Sequence, residues 1–134
     1  MIALVIALLV QDASLLGAIP RQALPTKGCA AYLWDNAPTR RLVAMAAADP
    51  ATLRFSLDGK LVDLARAGQQ GVAGFGFAGV TEYRSAEVTA ILDLTVETRP
   101  DLSGGAVVPA ATLRVERPGR DVVVTPVAGL IGCV

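Results

Sequence analysis

In the segment Glu87 to Thr98 (EVTAILDLTVET), apolar and polar side chains alternate almost residue by residue. Val88, Ala90, Leu92, Leu94 and Val96 fall on one side; Thr89, Ile91, Asp93, Thr95 and Glu97 fall on the other. An extended strand sends successive side chains to opposite faces, so this segment can bury one face and wet the other. As a helix it would scatter its polar groups around the axis. Much of the chain repeats the pattern, which directs it to an antiparallel all-β fold.

The turns divide the rest. Ala30–Trp34 reads as a short strand ended by Asp35-Asn36-Ala37-Pro38. Thr39–Ala47 reads as a strand or one helical turn, stopped by Ala48-Asp49-Pro50. Asp58-Gly59, between two alternating runs, marks a type I′ hairpin, because both central residues must take positive φ. A two-residue loop pairs Leu57 with Lys60, Phe55 with Val62 and Leu53 with Leu64. The same register sets Arg54 against Asp63. Ala65–Gly71 reads as a loop, and Val72–Val80 as a glycine-rich strand with Phe75 and Phe77 on it. Arg99–Gly105 reads as a loop. In Ala106–Arg117, Pro109 signals an edge or a bulge. Across Pro118-Gly119 a two-residue loop would pair Val115 with Val122, and a three-residue loop Arg117 with Asp121; hydrophobic register favours the first. Val127–Ile131 reads as a covered strand.

Seven or eight short strands with near-regular turns indicate an all-β, antiparallel β-sandwich of immunoglobulin-like kind, with a small β-barrel as the alternative. The chain is 53% hydrophobic but only 4% aromatic, so the core must be Val, Leu, Ile and Ala. Ile2–Val10 is an unbroken apolar run, too short to span a bilayer and suited to a signal-peptide core. The expected division is a signal peptide over 1–18, cut after Ala13 or Ala18, an extended leader over 19–27, and one domain over 28–134. Cys29 and Cys133 stand at the two ends of that domain. An exported chain meets an oxidising compartment, so the pair is expected as a disulfide.

Several chemistries find no footing. There is no histidine, which removes the commonest general base and metal ligand. Basic and acidic residues number twelve each, giving no footprint for nucleic acid or anionic membrane. Gly74-x-Gly76-x-x-Gly79 matches a dinucleotide-binding spacing, but the strand before it and the helix after it are missing. Ser56 and Lys60 fall on opposite faces of the hairpin, so they cannot form a nucleophile–base pair. Asp93 and Glu97 would lie about 13 Å apart along a strand, too far for paired-carboxylate hydrolysis. Asp101 stands without enough carboxylates for a calcium site. A histidine-free enzyme would need Glu82 or Asp101 beside an arginine in a pocket. The expectation is no catalysis, no metal and no cofactor. Tyr32 and Trp34 share a face and read as core anchors or as an exposed stacking platform. With Phe75 and Phe77 they form the candidate binding surface.

Two stretches carry a resemblance: Gly28-Cys29-Ala30-Ala31-Tyr32-Leu33-Trp34, and Thr112–Glu116 with the terminal Val127–Cys133. They resemble small exported proteins of Gram-negative bacteria that have no assigned function. The resemblance implies export and a periplasmic or secreted location, and supplies no functional residues. The expected role is an exported, non-catalytic interaction or structural module of the cell envelope. It would meet a protein or envelope component through an edge strand or the Gly/Phe segment. The alternative is a small carbohydrate- or ligand-binding domain using Tyr32 and Trp34.

Overall fold

A computed structural model describes residues 16–134; the apolar run Ile2–Val10 and Ala13 lie outside the described residues. The strands are β1 (Leu16–Gly17), β2 (Cys29–Asp35), β3 (Leu42–Ala48), β4 (Ala51–Leu57) and β5 (Lys60–Gln70). They continue as β6 (Val80–Arg84), β7 (Thr89–Leu94), β8 (Gly105–Glu116) and β9 (Val123–Cys133). From β2 onward each strand pairs antiparallel with the next, and β9 returns to pair with β2. The result is a closed eight-stranded up-and-down barrel, with β1 added to β4 as a two-residue ladder.

The barrel alternative therefore holds, and the immunoglobulin-like sandwich does not. Alternating polarity is common to both architectures; closure is what separates them. Here seven consecutive pairs, Cys29↔Cys133 through Asp35↔Val127, join the first long strand to the last. Strand length agrees in part: β2, β3, β4, β6 and β7 are short, as expected, but β5, β8 and β9 hold 11, 12 and 11 residues. Long, tilted strands are what a closed sheet requires.

The interior is filled by the alternating apolar set. One row runs Leu33, Ala44, Phe55 and Val62 across neighbouring strands; the next runs Ala31, Ala46, Leu53 and Leu64. Alanines on β3 leave room for Phe55 and the leucines, the small-against-large fit of a narrow barrel. On the far wall Tyr83, Ala90 and Val115 form a row, as do Thr81, Leu92 and Leu113, and all six are buried. Burial raises the Tyr83 phenol pKa, against the Thr81 bond and the Arg66 charge, which lower it. The inward set of the alternating segment is thus confirmed: Ala90, Leu92 and Leu94 are buried, with Val88 and Val96 packed against the core.

The Asp58-Gly59 hairpin has the register read from sequence, including Arg54 opposite Asp63, which form an ion pair at 2.8 Å. Three local expectations fail. Ala65–Gly71 is not a loop, because β5 runs on to Gln70 and bulges between Arg66 and Gly68. Val72–Val80 is not a strand. Gly71, Gly74, Phe75 and Gly76 all take positive φ, which breaks the extended chain into a turn closed by Gly74 and Phe77. The β8–β9 hairpin takes the disfavoured register, Val115↔Val123 and Arg114↔Val124. Proline is locked near φ −65° and cannot open a primed two-residue turn, so Pro118-Gly119 builds a wider turn closed from Arg120 N–H to the Arg117 carbonyl. The cost is exposed Val122 and Val124. Pro109 sits in a bulge between Val108 and Ala111, as its residue type required.

Candidate interaction groove

A groove of about 480 Å³ crosses the outside of the barrel over β9. Its origin is local. Ala128 and Gly129 are small; their neighbours are Trp34 on β2 and the raised Pro109 bulge on β8. Large walls around a small floor make a trough. Val107 and Leu130 continue the apolar lining, and Leu130 is 49% exposed. Val127–Ile131 is thus covered on its inner face only. Asp35, Asn36 and Arg40 stand at the polar end.

That end is held firmly. Asp35 Oδ1 accepts from the Ala37 and Arg41 backbone N–H groups, at 3.2 and 3.0 Å. Asp35 Oδ2 accepts from Arg41 Nε and Nη2, at 3.1 and 2.9 Å. Burial would raise the Asp35 pKa, but the Arg41 and Ala37 donors and the Arg41 charge outweigh it and hold it below its ordinary value. A depressed carboxyl contributes stability that is complete above its unfolded pKa, about 3.9, and is lost as pH falls through its folded value. Asp35→Asn is therefore expected to lower the urea midpoint at pH 7 and to weaken its decline below about pH 4. Unfolding curves at pH 7 and pH 3 check this; parallel declines in variant and wild type would contradict it. Arg40 sits at φ 47°, a left-handed conformation uncommon for a side-chain-bearing residue, and its guanidinium forms no ion pair among the described residues.

The four aromatic candidates part company. Trp34 is half-buried and lines the groove. Tyr32 lies on the same outer face but donates its hydroxyl to the Ala23 carbonyl at 3.0 Å, and burial raises its pKa. Neither is an interior anchor: the inward positions of β2 belong to Ala31, Leu33 and Asp35. Phe77 is 6% exposed and closes the disulfide end of the barrel beside Ala47, Ala48 and Tyr83. Phe75 is half-buried in the same loop, at φ 59°. Trp34 stands at the other end of β2, some five residues of strand rise away, roughly 17 Å. The structure does not assemble one aromatic surface from the four.

The remaining chemical candidates are dispersed. Glu82 pairs with Arg84 on the exterior, Glu97 with Arg99 at 3.4 Å, and Asp101 is exposed in the loop before β8. Ser56 is buried on the outer face under Gly17, while Lys60 pairs with Leu57 on the opposite one. Among the described residues, no three Cys, Asp or Glu side chains gather as metal ligands. The Gly74–Gly79 pattern belongs to the loop turn, with a strand and no helix after it. At the far mouth, Arg117 Nη1 donates to Asp58 Oδ2 at 2.7 Å, tying two hairpin tips together. Cys29 and Cys133 form the expected disulfide across the β2–β9 seam.

Sequence reasoning missed the groove beyond Trp34. Its floor was readable only as two small residues inside an apolar run, and its walls depend on β2 and β8 flanking β9. The fold and groove define a closed β-barrel with an apolar interior and an aromatic-walled exterior trough. Comparison with protein-family models, curated proteins and solved structures gives no match.

Proposed function

We propose that the chain is an exported, non-catalytic interaction or structural module of the cell envelope, whose partner, a protein or an envelope component, docks in the Trp34 groove. The observation that carries this is how the apolar surface is allotted. The described interior positions carry the chain's own apolar side chains, and barrel closure leaves β2 and β9 no free edge for strand addition. The trough over β9 is an apolar recess walled by an aromatic side chain; a second recess, of about 490 Å³, lies at the far mouth among Leu57, Val62, Val88 and Pro118 and has no aromatic wall. Aromatic anchors in such recesses dominate binding energy. Export and a periplasmic or secreted location gain support from the disulfide, which suits an oxidising compartment. The barrel's polarity is the reverse of a bilayer-spanning one: apolar inside, with Arg54, Asp63, Asp93 and Arg114 on the outer face.

The carbohydrate- or ligand-binding alternative keeps one of its two aromatics, since Tyr32 is engaged with Ala23 and Trp34 stands beside Asp35, Asn36 and Arg40. Capture from envelope extract tests the main reading. The wild-type domain is expected to retain a partner, and Trp34→Ala to weaken retention by about tenfold or more. Equal retention by the variant would move the interface elsewhere. A soluble oligosaccharide that competes and alters the emission of the sole tryptophan would favour the alternative.

A further inference from the structure

We infer that the leader is cut on the N-terminal side of Leu16, at the Ala13–Ser14 bond, and that Leu16 to Pro25 stays in the mature protein as a strap completing the barrel. This rests on the export reading above and chooses between two sites that the sequence leaves equal, since Ala13 and Ala18 are both small residues after the apolar run.

The strap is tied at Leu16, Gly17, Ile19, Gln22 and Ala23. Leu16 is 1% exposed and belongs to the core. Its ladder with β4, Leu16↔Leu57 and Gly17↔Ser56, continues where the β3 ladder stops at Phe55. Gly17 lies close against Ser56: a β-carbon there would stand 3.3 Å from Ser56 Oγ. Arg41 Nη2, already bound to Asp35, also reaches the Leu16 carbonyl at 3.4 Å. Ile19 is 6% exposed and its N–H donates to the Leu42 carbonyl at 2.8 Å. Farther on, Arg54 Nη1 donates to Gln22 Oε1 at 2.8 Å, and Tyr32 to the Ala23 carbonyl.

A cut after Ala18 would remove Leu16 and Gly17, open the core beside Leu57, and place a new ammonium on buried Ile19. A cut after Ala13 keeps every one of these contacts. The step is hydrolysis by a membrane-bound signal peptidase: water adds across the Ala13–Ser14 amide, leaving a carboxylate on Ala13 and an ammonium on Ser14.

Intact-mass measurement of the periplasmic protein, after expression of the full chain in a Gram-negative host, tests the cut. The expected mass is that of Ser14–Val134 less two hydrogens for the disulfide. Folded protein beginning at Ile19 would overturn the inference. Full-length protein confined to the cytoplasm would overturn the export reading and the cut with it. The strap is then judged separately, by thermal unfolding of the oxidised protein as recovered from the periplasm and of its Leu16→Ala variant. The variant is expected to melt about 10 °C lower; equal midpoints would overturn the strap.

Discussion

Reduction of the Cys29–Cys133 bond is expected to lower the thermal midpoint by roughly 15–20 °C. The two residues are 104 positions apart, so the bond closes nearly the whole domain into one loop. Chain-entropy reasoning gives such a cross-link about 4–5 kcal/mol, by restricting the unfolded chain. Its placement adds to this. Cys29↔Cys133 is the last pair of the ladder that closes the barrel, and Val134 N–H donates to the Gly28 carbonyl beside it at 2.9 Å. Without the link, the terminal strands can fray from the seam. Calorimetry of the Cys29→Ser/Cys133→Ser double variant against the oxidised wild type measures the effect. A shift under about 5 °C would mean that the seam holds without its clasp.

The second large effect is expected from a single methyl group. A β-carbon at Gly129 would be driven into the Tyr32 carbonyl and to within 3.1 Å of Leu33 Cα. These are backbone atoms of the neighbouring strand, so no side chain can swing aside. Relief requires β2 and β9 to separate, which breaks the ladder around Leu33↔Gly129. Overpacking usually costs about 1–3 kcal/mol; a backbone collision in the closing seam is expected to cost about 4 kcal/mol or more. Gly68→Ala is the control, because no atom lies within 4 Å of a β-carbon there. In urea unfolding, Gly129→Ala should populate unfolded chain at far lower denaturant, with Gly68→Ala near wild type. Equal midpoints for the two variants would show that the strands do not approach so closely.

Both effects fall on the seam, and the seam is what the sequence hid. Local features were legible. Period two assigned Ala90, Leu92 and Leu94 inward, and Asp58-Gly59 fixed a hairpin in which polarity and charge pairing agree. The Cys29–Cys133 pairing followed from there being two cysteines and an expected oxidising compartment. Closure carries no local mark: β2 meets β9 across about a hundred residues, and a sandwich shows the same alternation. The β8–β9 register failed because hydrophobic matching was weighed above the fixed φ of Pro118. Val72–Val80 failed because its phenylalanines suggested a strand, whereas its glycines and Phe75 itself turn to positive φ. The groove was half legible. Trp34 stood out by residue type, yet its neighbours Ala128, Pro109 and Leu130 meet it only after closure.

Proton NMR across the closing seam is the most direct test. A closed barrel predicts cross-strand nuclear Overhauser contacts between Leu33 and Gly129 and between Ala31 and Ile131, together with slowly exchanging β2 amides. Absent contacts, with β2 amides exchanging as fast as those of an exposed edge strand, would contradict the barrel and the exterior groove built on it.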